Sequence, residues 1–127
     1  MNHRFEKHYT RDEAESLLPQ MRAWLEQLNT LRADVERDDK RISSLMSPGN
    51  DVGGELVNRS IRTMAQMQAL LGEFQKREIQ IKDLERGLLD FPALVGGKEV
   101  FLCWENGEEN IEFWHDLESG YGGREHL

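Results

Sequence analysis

Cysteine is almost missing from this chain: one residue, Cys103, in 127. An internal disulfide is therefore excluded, and a lone thiol points to a reducing cytoplasm. Long apolar runs are absent as well. No stretch approaches the roughly 20 residues that a membrane-spanning helix needs. The opening residues, Met1 to Tyr9, are polar and lack the apolar centre of a secretory signal. Basic charge is scarce: 16 Lys and Arg face 24 Asp and Glu, for a net charge of −8. That balance argues against non-specific nucleic-acid binding, which needs a basic surface. The expectation is a cytoplasmic chain with neither a nucleic-acid nor a membrane partner.

Apolar residues make up 38% and charged residues 31%, which suits long two-faced helices rather than disorder. The distribution is uneven. Residues 87–127 hold nine acids but only two bases, Lys98 and Arg124, so −7 of the −8 lies there. Six of the ten aromatics and seven of the eleven glycines follow residue 86. Composition thus divides one domain, 1–127, into a helical part, 10–77, and a distinct C-terminal module, 78–127.

Thr10 with Glu13 three residues on forms a capping box at a helix start. Pro19 lacks an N–H and clashes with the preceding turn, so a kink or break is expected there. A long helix then runs from about Pro19 to about Met46, with Met21, Trp24, Leu28, Leu31, Val35, Ile42 and Leu45 alternating three and four apart. Asp38 interrupts this stripe, either exposed or as a polar position that fixes register. Residues 47–54 are rich in breakers. A second helix from about Glu55 to about Arg77 repeats the spacing through Val57, Ile61, Met64, Met67, Leu71 and Phe74. Two such helices joined by a modest loop pack most economically as an antiparallel hairpin.

From Glu78 the period shortens toward that of a strand. The expected strands are 78–84, 98–104 and 110–116, a three-stranded antiparallel meander, which makes the fold class α+β. Asn106-Gly107 is the strongest hairpin signal. Taken as a two-residue turn, it places Val100, Leu102, Trp104 and His115 on the face toward the helices. Phe101, Cys103 and Trp114 then fall on the other face. Cys103 and His115 are thereby expected on opposite sides.

The C-terminal stretch has a familiar pattern: Lys82-Asp83, Gly87-Leu88, Asp90-Phe91-Pro92-Ala93, Val100 through Trp104, Gly107-Glu108, Ile111, Trp114-His115-Asp116, Gly120 and Arg124. Tyr9-Thr10, Glu13-Ala14 and Leu17-Leu18-Pro19 add an opening. Together they resemble the bacterial domain-of-unknown-function family 2203 over nearly the whole chain. The resemblance implies a small bacterial protein with a helical hairpin and a short sheet, and implies no activity. It also implies a glycine ahead of the first strand, where this chain has Lys76-Arg77-Glu78.

Asp90, His115, Asp116, Glu118 and Arg124 form the most chemical-looking group. Carboxylates with one imidazole could hold a divalent metal, and a carboxylate beside His115 could make it a base. The plainer reading is a structural His115, with Asp90 capping a turn before Pro92. The spacing matches no standard zinc motif. Cys103 reads as a packing residue. Arg124 could anchor an anion or fold onto an acid such as Asp90. Gly120, Gly122 and Gly123 around Tyr121 read as a turned tail, not a phosphate loop. His3 and His8 belong to a terminus expected to be disordered, able only to pick up adventitious metal. No cofactor other than a divalent metal is suggested.

The helices carry more apolar face than a short meander can cover. A homodimer through Trp24, Leu28, Leu31, Met64, Met67 and Leu71 is the simplest cover. The leading expectation is a non-enzymatic interaction or scaffold protein, whose acidic, aromatic module recognises a further protein partner. The alternative is a small metal-binding protein or enzyme built around Asp90, His115, Glu118 and Arg124.

Overall fold

A computed structural model describes residues 2–46 and 54–127. Two helices precede a five-stranded antiparallel sheet, an α+β arrangement. Helix α1 spans Arg11–Leu45 and α2 spans Gly54–Lys76. The strands are β1 Gln80–Asp83, β2 Leu88–Val95, β3 Lys98–Glu105, β4 Phe113–Asp116 and β5 Glu125–His126, hydrogen-bonded in chain order. The expected breaker segment, apart from Gly54, lies outside the described residues.

The capping box at Thr10 and Glu13 is present in both directions. Pro19, however, does not end the helix: α1 continues through it. Pro19 itself is exposed, while Leu18 and Met21 beside it are buried, so packing holds the turn that loses one backbone bond. The buried stripe of α1 is Ala14, Leu18, Met21, Leu25 and Leu28. It shares Ala14, Met21 and Leu28 with the expected phase, adds Leu18 and Leu25, and leaves Leu17 and Trp24 at its edge. Trp24 packs edge-to-face on Phe74 of α2 at a 5.5 Å centroid distance. Farther along, buried Asp38 receives both Arg59 Nη2, at 2.6 Å, and Arg59 Nε, at 3.2 Å. Asp38 is thus buried and paired across the two helices, which excludes the exposed reading.

α2 ends in a Schellman turn. The N–H of Ile79 donates to Phe74 O and that of Glu78 to Gln75 O. Glu78 takes the left-handed backbone (φ 58°) at the place where the resemblance implies glycine. Phe74 and Ile79, the apolar pair that accompanies such a turn, are both in the core.

The sheet has five strands, not three. β2 is one of the two strands beyond the expected three, and Pro92 within it hides it from a reading of the sequence. β1 pairs with β2 only as far as Asp90, so beyond that point one side of β2 asks for no ladder donor. The carbonyl of Pro92 there accepts the N–H of Tyr9 at 2.7 Å. β5 has only two residues and carries no readable period.

The tight hairpin is also elsewhere. Gly96 and Gly97, with φ 59° and 81°, join β2 to β3 across the pair Val95–Lys98. Asn106 instead donates its N–H to Gly87 O, extending the β2–β3 ladder, and lacks the positive φ that the expected turn needs. A longer loop, 106–112, follows. The β3–β4 register therefore pairs Phe101 with His115 and Leu102 with Trp114. This is a three-residue offset from expectation, and an odd offset exchanges the faces. Trp114 turns toward the helices with Val100, Leu102 and Trp104, while His115 joins Phe101 and Cys103 on the opposite face.

Both faces of the sheet are covered. α1, Phe74 and Ile79 cover one. The N-terminal segment and C-terminal tail cover the other, with Phe5 on Phe101 at 5.4 Å and Arg124 over Phe113 at 3.9 Å.

Candidate functional site: a buried Asp–Cys–His cluster

The second face gathers three chemical side chains from three adjacent strands. Asp90 of β2 stands opposite Cys103 of β3, and His115 of β4 stands opposite Phe101, two residues along the same face. All three are at most 2% exposed. Their donor atoms lie within 4.8 Å of one another. The expectation that Cys103 and His115 point apart is thus overturned by the register. The expectation that Asp90 caps a turn is overturned too, because Asp90 is mid-strand.

His115 has a partner at each nitrogen. Nδ1 lies 2.6 Å from the carbonyl oxygen of Asp116, and Nε2 lies 3.0 Å from Asp90 Oδ1. A carbonyl only accepts, so Nδ1 carries the hydrogen. Nε2 and Asp90 then share one proton between them, held either by the carboxyl or by the ring. Burial raises the Asp90 carboxyl above its ordinary range, against the opposing pull of His115. Burial, reinforced by the charge of Asp90, pushes the Cys103 thiol up to about 12 even though Arg124 pulls it down. At neutral pH Cys103 is a thiol. It is a poor nucleophile, and the carboxyl of Asp90 rather than an imidazole is its polar neighbour.

The other expected residues lie apart from this centre. Asp116 reaches Lys98 Nζ at 2.8 Å. Glu118 is exposed and accepts from Arg4 Nη2 at 2.6 Å. Arg124 does not meet Asp90. It forms a two-pronged pair with Glu108, at 2.8 and 3.1 Å, stacked between Phe113 and Tyr121. Its Nη1 is 4.0 Å from Cys103 Sγ. Tyr121–Gly123 make a short 3-10 turn that Gly120 precedes.

The N-terminal segment is anchored, contrary to expectation. Glu99 accepts the N–H groups of Arg4 and Phe5, at 2.7 and 3.0 Å, and contacts His8 Nε2 at 2.7 Å. The Glu78 carboxylate accepts those of Glu6 and Lys7, at 3.0 and 2.9 Å. Two carboxylates thus hold four consecutive backbone donors. Sequence reading missed both glutamates, since nothing local marks a carboxylate that binds a segment 70 or more residues away. His3, His8 and Glu99 also form a second donor group, more exposed than the first.

Of the residues expected at an oligomer interface, Leu28 is wholly buried in the chain's own core. Trp24 is covered by Phe74 and by Arg77, whose guanidinium sits 4.9 Å above the indole. Leu31, Met67 and Leu71 are half-buried, and Met64 is exposed.

An α+β chain with a polar centre buried in its sheet is the class these features define. The chain belongs to the DUF2203 family of uncharacterized conserved proteins, whose sequence model matches residues 7–127. No curated protein and no solved structure matches it. No helix among the described residues is long and apolar enough to cross a membrane.

Proposed function

We propose that this DUF2203 chain is a single-domain, non-enzymatic cytoplasmic scaffold. Its helices form an antiparallel hairpin that pairs with a second copy, and its acidic C-terminal module meets a further protein partner.

One observation carries this reading. Between residues 30 and 70, the described part of both helices buries only Asp38 and Ser60. Ile61 and Met64 are 55% and 43% exposed. An open groove of about 770 Å³ runs between the helices, with Leu31, Ala69 and Leu70 in its lining. Helices gain most of their stability by burying an apolar face, and this stretch buries almost none of its own. A two-fold copy would cover it as a four-helix bundle. On this reading Leu31, Ile61, Met64 and Met67 make that contact, while Leu28 and Trp24 serve the chain's own core.

The test is the mass of the untagged full chain by native mass spectrometry and light scattering. A dimer that becomes monomer in Ile61→Glu and Met64→Glu supports the reading. A wild-type monomer at tens of micromolar, or dimers undisturbed by both substitutions, would end it.

A further inference from the structure

We propose that Asp90, Cys103 and His115 bind one borderline-soft divalent cation of the zinc type, each giving one ligand atom from a separate strand. The site is independent of the helix contacts.

The second bond of His115 is the first support. Imidazoles that ligate metals through Nε2 commonly donate Nδ1–H to a carbonyl or carboxylate outside the metal site, which fixes tautomer and ring angle. Asp116 O does this for His115 at 2.6 Å, which leaves Nε2 facing Asp90 Oδ1 at 3.0 Å.

Placement is the second. The donor atoms lie within 4.8 Å of one another, where donors on a tetrahedral ion are roughly 3.5 Å apart. Small side-chain rotations close that gap. Three protein donors leave a tetrahedral ion its fourth position for water.

Charge is the third. A thiolate, a carboxylate and a neutral imidazole sum to −2, which a dication cancels among three side chains each at most 2% exposed. One sulfur, one nitrogen and one oxygen favour zinc or cobalt over magnesium or calcium. Binding displaces two protons, one from the thiol and one shared by Asp90 and His115, as two ligand–metal bonds replace them.

The experiment refolds the chelator-treated, untagged full chain with one equivalent of Co²⁺, so that a closed site cannot bar entry. The expected product holds one ion per chain, shows a sulfur-to-cobalt charge-transfer band, and loses that band when Zn²⁺ displaces the cobalt. Cys103→Ser should abolish the band. His115→Gln should weaken binding at least tenfold, while His8→Asn should leave it unchanged. Should a variant fail to fold, the wild-type spectrum decides alone. A cobalt protein without the sulfur band, or binding that depends on His8 and not on Cys103, overturns the proposal.

Discussion

His115 Nε2 lies 3.0 Å from Asp90 Oδ1, and both side chains are almost wholly shielded from water. Removing one partner of such a pair strands the other. In the metal-free protein, Asp90→Ala is expected to cost about 3 kcal/mol. Asp90→Asn should cost clearly less, because its amide can donate to the Nε2 lone pair. Urea unfolding of the three proteins measures both differences, and equal losses would show that the contact is not what matters at Asp90.

Glu99 gives the chain an acid-sensitive anchor. Burial would raise its carboxyl, but His8 and the backbone donors of Arg4 and Phe5 outweigh that and hold it at about 2. A depressed carboxyl stabilises the fold above its unfolded value of about 4.5, and the contribution disappears as pH falls toward 2. The Arg4 and Phe5 amides should be protected from hydrogen exchange at pH 6 and lose protection across that window. Glu99→Gln should weaken their protection already at pH 6.

Glu78 performs two jobs that a glycine could not combine. Its backbone is left-handed, and its carboxylate holds Glu6 and Lys7. Glu78→Ala keeps the strain and loses the carboxylate, whereas Glu78→Gly loses both. The glycine variant should therefore be the more stable of the two by about 1 kcal/mol, measured by denaturation. An alanine variant matching the glycine variant would show that the turn is unstrained.

Asp38 and Arg59 tie the far part of α1 to α2. The Arg59 hydrogen bond holds the Asp38 carboxyl below its ordinary range, against burial. Asp38→Ala should lower the melting temperature and speed amide exchange in residues 34–45 and 54–64 before the sheet is affected. Asp38→Leu with Arg59→Met should recover much of the loss, since an apolar pair needs no desolvation.

Much of this fold can be read along the chain. The capping box, both helices to within a residue or so beyond Pro19, and the centres of the strands expected at 78–84, 98–104 and 110–116 follow from signals between near neighbours, although the last begins only at Phe113. Pro92 misled because its missing donor matters only where a neighbouring strand needs one, and β1 has already ended there. Asn106-Gly107 misled because the Asn106 N–H is committed to Gly87 across the sheet, a contact that no turn rule contains.

That single commitment decided the candidate site. Asp90 and His115 stand out in the sequence, but whether Cys103 joins them depends on the β3–β4 register. The last β3–β4 pair is Cys103–Phe113, a register three residues from that of a two-residue turn at 106–107, and this sends His115 to the other face. The helical periods, most of the strand residues and the acidic bias of the last third are properties of neighbouring residues and are legible along the chain. The company that Asp90, Cys103 and His115 keep, and the anchoring of residues 4–7 by Glu99 and Glu78, arise on folding alone. Those contacts join residues far apart in the chain, and no local energy term fixes them.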